Sequence, residues 1–313
     1  MTCAQYPGSE GHFDIDAQTF AEWGVDSIKV DGCYADYKTF DVTYPAFGRA
    51  LNKTGRPMLY ECSAPLFTPG HLVNSSKLLT VLAPNCNYWR MFDDIKDNWG
   101  SLRRTVDIFA TSGPDSFMVR ASGPGHFNDA DMILVGMSDD SIPRYQAQMA
   151  LWSIFSSPLL MSNDLYNMPP GTKEILQNKE IIAVSQDPLG KMGYPIYTNT
   201  SQVRVWIKEL SPNGCKARWA VVLQNFLTVD TILKVDPSKI PGWNLHTRFR
   251  IRNLFAHTDV GRVHCGSFES SVAPESVQMF LFTEAGLASQ AKPIGGESVP
   301  LSLTNGPSSL FLT

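Results

Sequence analysis

Residues 17–23, AQTFAEW, set apolar side chains at helical spacing behind Asp16, a candidate N-cap, and Gly24 closes the run. The period then changes. From Asp26 to Val30 the chain reads as a short strand in which Ile28 and Val30 point one way while Lys29 and Asp31 point the other. The same exchange of periods recurs downstream. Helical spacing covers Tyr44 to Asn52, Asn98 to Thr111 and Arg144 to Phe155. Strand-like runs cover Met58 to Cys62, Asn87 to Phe92, Ser116 to Ala121 and Pro158 to Met161. Strands alternating with helices predict a parallel sheet covered on both faces. Polar residues gather where those strands end: Asp31, Ser63, Asp94, Asp131, Asn163 and Asp164. In a barrel of such units the loops after the strands carry the chemistry.

Beyond QDPLGKMG (186–193) the helical spacing disappears. QVRVWIKEL, RWAVVLQNF and SVQMFLFTE alternate as antiparallel strands between Pro, Gly and Asn turns. The expected organisation is therefore α/β followed by all-β, with a catalytic region over 1–191 and an antiparallel β-sandwich domain over 192–313.

Composition narrows the function without naming it. A 313-residue chain with 43% hydrophobic residues can bury a large core. The balance of 26 basic against 30 acidic residues, with no Lys/Arg-rich run, argues against a nucleic-acid or anionic membrane partner. No apolar run spans a bilayer, and the opening MTCAQYPGSEGHFDID lacks the basic start and apolar core of a signal peptide. Six cysteines, Cys3, Cys33, Cys62, Cys86, Cys215 and Cys265, contain no CxxC pair of the zinc or redox kind. With the sequons at Asn52, Asn74 and Asn199 they point to the secretory route instead.

Lys29 and Asp31 have two readings. Charges on a strand face are seldom buried unpaired, so they form either a structural ion pair or a functional pair. Acidic residues also follow other candidate strands, in WRMFDDIKD (89–97) and FNDADM (127–132). Such residues are commonly solvated or capping, but they can also supply the two carboxyls of a retaining glycosidase, about 5 to 5.5 Å apart. The nucleophile must stay ionised, which a cation such as Lys29 favours. The acid must keep its proton, and Asp94 has Asp93, Trp89, Phe92 and Trp99 as sequence neighbours.

YPGSEGHFDIDAQTFAEWGVDSIKVDGCY, ALNKTGRPMLYECS, CNYWRMFDDI, GPGHFNDADMILVG, QAQMALWSIFSSPLLMSNDL and SQDPLG occur in order. Together they resemble glycoside hydrolase family 27, the melibiase-type α-galactosidases and α-N-acetylgalactosaminidases. The resemblance covers Thr2 to about Gly193. It implies a TIM (β/α)8 barrel followed by the β-domain, with Asp31 as nucleophile and Asp94 as acid/base. Lys29, Arg90, Asp131 and Met132 match residues lining the sugar pocket. It implies disulfides Cys3–Cys33 and Cys62–Cys86, leaving Cys215 and Cys265 as a third bridge within the β-domain or as two unpaired thiols. It further implies a homodimer, a lysosomal or secreted setting, terminal α-galactosyl or α-N-acetylgalactosaminyl glycans as substrates, and neither cofactor nor metal.

Two departures from the family pattern accompany this. The chain begins just before the strand bearing Asp31, so the expectation is an incomplete TIM (β/α)8 barrel lacking the first strands. That would be an N-terminally truncated form without its signal peptide, whose own activity is open and which could serve as an inactive glycan-binding protein. Secondly, where α-galactosidases carry Cys-Glu-Trp with a nearby leucine and α-N-acetylgalactosaminidases carry Cys-Ser-Trp with a nearby alanine, this chain reads Cys62-Ser63-Ala64-Pro65-Leu66. Ser63 resembles the second group and Leu66 the first, and N-acetylgalactosamine is the sugar preferred, with galactose as the alternative.

Overall fold

A computed structural model describes residues 1–70, 77–137 and 140–285. Its first part runs α1 (Phe13–Glu22), β1 (Ser27–Val30), α2 (Phe40–Lys53), β2 (Leu59–Cys62), α3 (Ala64–Phe67), α4 (Lys77–Leu82) and β3 (Tyr88–Arg90). It continues through α5 (Trp99–Phe109), α6 (Phe117–Ala121), β4 (Phe127–Asp129), α7 (Ile142–Phe155), α8 (Thr172–Leu176) and α9 (Lys179–Ser185). The four strands pair in parallel in the order β1-β2-β3-β4, an open arc among the described residues.

Three expected features are different. Helix α1 begins at Phe13, so Asp16 lies in its first turn and not at its cap, where a negative charge favours the helix N-terminus. The strand expected over Ser116 to Ala121 is helix α6. Its apolar, partly β-branched residues suit a strand, but the Ser116 hydroxyl accepts from the Val119 N–H at 3.3 Å and starts a helical turn. The strand expected over Pro158 to Met161 is reduced to one parallel bridge, Ile133 to Met161.

The second part is antiparallel. Strands β5 (Tyr194–Thr200), β6 (Val203–Asn213), β7 (Lys216–Asn225), β8 (Thr231–Val235), β9 (Arg248–Asn253), β10 (Thr258–Asp259), β11 (His264–Cys265), β12 (Phe268–Val272) and β13 (Ser276–Glu284) follow in chain order. They form a sheet in the order β10-β9-β13-β7-β6-β5, with β11 on β9, and a smaller β8–β12 sheet. Alternation along β6 explains how this sandwich joins the first part. Val203, Val205 and Ile207 enter the sandwich core with Leu233, Val235 and Phe268, whereas Trp206 and Leu210 enter the core shared with α7. Helix α7 is buried almost all round, which is what a helix between two sheets requires. Phe155 at its end stacks on Phe109 and meets the edge of Trp206. Lys208, fully buried on the same face of β6, donates to the carbonyls of Ser153 and Val184 in the last turns of α7 and α9, where the helix dipoles favour a cation.

Disulfides Cys3–Cys33 and Cys62–Cys86 are both formed. The third bridge is not: Cys215 and Cys265 are exposed free thiols. Cys215 sits in the tight β6–β7 turn beside Gly214, whereas Cys265 lies on β11 against β9 and points its thiol at the Leu245 carbonyl. Alkylation of the folded protein should therefore label Cys215 and Cys265 and leave the other four cysteines unlabelled until reduction. A native Cys215–Cys265 peptide in non-reducing mass spectrometry would contradict this.

Candidate active site

The register of the parallel sheet sorts its side chains into two faces. Lys29 stands opposite Glu61, Glu61 opposite Tyr88, Tyr88 opposite Phe127, and Arg90 opposite Asp129. By alternation Lys29, Glu61, Tyr88, Arg90 and Asp129 share one face, with Asp31, Ser63 and Asp131 beyond it at the strand ends. The other face carries Ile28, Tyr60, Cys62 and Trp89, which belong to the core beneath the helices.

Asp31 is exposed just past β1, its carboxylate accepting from the Gly32 N–H at 2.9 Å. Gly32 is required by close approach: a Cβ there would meet the Phe67 ring at 2.5 Å. The Tyr44 hydroxyl, donating to the Val30 carbonyl at 3.4 Å, stays protonated, because burial first and the Asp31 charge second push it up. A cavity of about 450 Å³ opens beside Asp31, but it lies toward α1 and α2, lined by Phe13, Phe20, Tyr44 and Phe47, and does not reach Arg90, Asp94 or Asp131. The Cys3 and Cys33 sulfurs converge with the Asp31 carboxylate, but they are bonded to each other, which leaves one free ligand and no metal site.

Lys29 does not pair with Asp31. Its Nζ lies 3.1 Å from the carboxylate of Glu61, the residue across from it on β2. This corrects the expectation that Lys29 serves Asp31 directly. The reason is register: the neighbour across a strand is closer than the next residue on the same face.

Arg90 joins the loops that follow β3 and β4. Its side chain is 3% exposed, and Nη2 lies 3.1 Å from Asp94, 2.9 Å from Asp131 and 3.1 Å from the Phe92 carbonyl. Asp131 also accepts from the Ile95 N–H at 2.7 Å. Its backbone has φ +76°, an uncommon conformation for a residue with a side chain. Three ties hold it: Asp131 N–H donates to Asp129, the Trp152 indole donates to the Asp131 carbonyl at 2.7 Å, and Gln148 binds both Met132 O and Leu134 N. Trp152 and Gln148 belong to α7, so the buried helix is the template for this loop.

Asp94 has a different setting from the one its sequence neighbours suggested. Its side chain is 84% exposed. Trp89 faces the opposite side and donates to Asn128, and Trp99 packs on Phe226 of the second part. Ser63 is fully buried, and its hydroxyl has no hydrogen-bond partner among the described residues. Leu66 is half-buried in α3 beside it.

Glu61 and Asp129 escaped sequence reading. Glu61 lies in MLYEC with the same strand parity as Lys29, a signal that becomes visible only when β1 and β2 are paired. Burial first and the charge of Glu61 second push the Asp129 carboxyl up to about 7, against hydrogen bonding from Asp131 and the charge of Arg90.

The sequence profile described as alpha galactosidase A matches residues 1–187, and the one described as alpha galactosidase C-terminal beta sandwich domain matches residues 200–282. The chain belongs to glycoside hydrolase family 27. Among its relatives, the alpha-N-acetylgalactosaminidase of Gallus gallus is 37% identical over 304 residues, 96% of this chain and 73% of the relative. Human alpha-galactosidase A is 43% identical over 226 residues, 72% of this chain and 50% of the relative. The chain thus spans about half the length of several mammalian relatives it matches and more of the avian one. The crystal structure of alpha-galactosidase I from Mortierella vinacea superposes with a TM-score of 0.77 at 25% identity, covering 90% of this chain and 74% of that one. Family membership agrees with the architecture seen: part of a (β/α)8 barrel followed by a β-sandwich.

Proposed function

We propose that the protein is a retaining glycoside hydrolase that removes terminal α-linked N-acetylgalactosamine or galactose from glycoconjugates, with N-acetylgalactosamine preferred. The observation that carries this reading is the arrangement of carboxylates. Asp31 and Asp94 follow β1 and β3, either side of the Ser63 strand end, and buried Arg90 ties Asp94 to Asp131. Alternate strands stand about 10 Å apart at the backbone, a gap across which two aspartate side chains can face one sugar.

In this reading the Asp31 carboxylate attacks the anomeric carbon while Asp94 protonates the departing oxygen. Asp94 then takes a proton from water, which attacks the glycosyl ester and releases the sugar with its configuration retained. Asp94 is exposed in the free protein and open to water until substrate covers it. Arg90 orients Asp94, and with Lys29, Asp131 and Met132 lines the sugar pocket.

Ser63 and Leu66 read the substituent at C2. A buried hydroxyl without a partner is costly, and an acetamido group would supply one, which supports N-acetylgalactosamine. Galactose is the second reading, favoured by Leu66, whose side chain narrows the same space. Assay of the protein on matched aryl α-galactosides and α-N-acetylgalactosaminides tests both. Leu66→Ala should raise the kcat/KM ratio toward the acetamido sugar, and Ser63→Glu should lower it, each by about tenfold or more. An unchanged ratio in both variants would remove this strand end from C2 recognition, and tight glycan binding without turnover would favour a lectin-like role.

The same reading includes a homodimer, a lysosomal or secreted location, and domains over 1–191 and 192–313. It includes N-glycans at Asn52, Asn74 and Asn199. Asn52 and Asn199 are exposed, and Asn74 lies outside the described residues. No described helix is long and apolar enough to cross a membrane.

A further inference from the structure

We propose that Glu61 is a positioning residue that holds the Lys29 ammonium on the polar face of the sheet, one rung below Asp31 and Ser63, so that the lysine serves the substrate and not the nucleophile. The inference rests on the hydrolase reading for its kinetic consequence, but not for the tether itself.

The tether is built into strand pairing. Lys29 and Glu61 are directly opposed in the β1–β2 register and 3.1 Å apart, with Lys29 half-exposed and Glu61 buried. Half exposure means that the long lysine side chain, if released, can swing through several rotamers. On its own face the next group along β1 is Asp31, an exposed carboxylate whose one hydrogen bond among the described residues is from the Gly32 N–H. An ammonium that paired there would cover the oxygen that has to attack. Glu61 prevents this by offering a closer partner directly across the strand pair.

Glu61 in turn needs Lys29. A buried carboxylate is seldom left unpaired. Arg90, the other cation on this face, is committed to Asp94, Asp131 and the Phe92 carbonyl. Asp129, Asp131 and Tyr88 supply no positive charge.

Two measurements separate this role from a structural one. The first is a double-mutant cycle on an aryl glycoside of the better sugar. Glu61→Gln should raise KM and lower kcat/KM by about tenfold, Glu61→Asp should restore part of the loss, and Glu61→Gln should add less than about twofold in a Lys29→Met background. An equal cost in both backgrounds would show that Glu61 does not act through Lys29 and would overturn the proposal. The second needs no activity. Brief acylation with an activated ester, read by peptide mass spectrometry, should label Lys29 about threefold or more faster in the folded Glu61→Gln protein than in the parent, with Lys53 and Lys96 unchanged. An unaltered Lys29 rate would overturn the tether. If the parent protein hydrolyses neither sugar, the hydrolase reading fails while the labelling still decides the tether.

Discussion

Asp31→Asn should bring hydrolysis of both α-galactosides and α-N-acetylgalactosaminides below detection, whatever the leaving group. The asparagine amide cannot form the glycosyl ester, and every route to product in the proposed mechanism passes through that ester. Asp94→Asn should behave differently. On a dinitrophenyl glycoside, whose leaving group departs without a proton, the first step should persist and a burst of phenol should precede slow turnover. On an alkyl glycoside the same variant should lose about 10²- to 10⁴-fold, the range that general acid–base assistance supplies. Rapid-quench kinetics on the two substrates makes the comparison. Equal losses for both variants in the first step would reverse or void the assignment. The structure sharpens the expectation for Asp94, because Arg90 is anchored independently through Asp131 and the Phe92 carbonyl. Asparagine at position 94 therefore removes the acid without unseating the guanidinium.

Asp129→Asn should change how stability depends on pH, by roughly 2–4 kcal/mol between pH 4 and pH 7. In the folded protein the Asp129 carboxyl is pushed from 3.8 up to about 7, so between those values the native state holds a proton that the unfolded chain has released. Stability from this group is complete below about pH 4 and is lost as pH rises through 7. Asparagine keeps the shape and cannot titrate, so the variant should gain on wild type as pH rises and be relatively more stable at pH 7. Lys208 works on the other side. Burial lowers it from 10.5 to about 7, so here the unfolded chain holds the extra proton and stability rises from about pH 7 toward 10.5. Thermal melts of wild type, Asp129→Asn and Lys208→Met across pH 4 to 10 should give curves that diverge on opposite sides of neutrality. Parallel curves for wild type and Asp129→Asn would show that Asp129 is ionised in the native state throughout.

Much of the fold is legible along the chain. Apolar periodicity locates β1, β2, α5, α7 and β13 within a few residues, since each buries one face or all of itself against the core. Ser116 to Ala121 shows the limit, where a serine hydroxyl reaching the N–H of Val119 overrules side chains that suit a strand. In the site, Asp31, Asp94 and Asp131 are visible as polar residues at strand ends, and Arg90 through the family resemblance. Their surroundings are not. The tryptophans near Asp94 in sequence turn to other faces, which leaves its side chain 84% exposed. The free thiols Cys215 and Cys265 are separated by the geometry of a turn and a strand that an even cysteine count does not contain.

Read along the chain, the residues yield periodicities, strand ends and the motifs that place the protein in glycoside hydrolase family 27. Who stands beside whom is settled by folding. Lys29 meets Glu61 and not Asp31, Asp129 owes its raised proton affinity to burial first and then to a carboxylate two strands away in the sheet, and Asp131 is held by a helix that follows it. The physical reason is that periodicity is a property of neighbours along the chain. Pairing register, burial and the field of nearby charges belong to residues that the chain brings together only after it has folded.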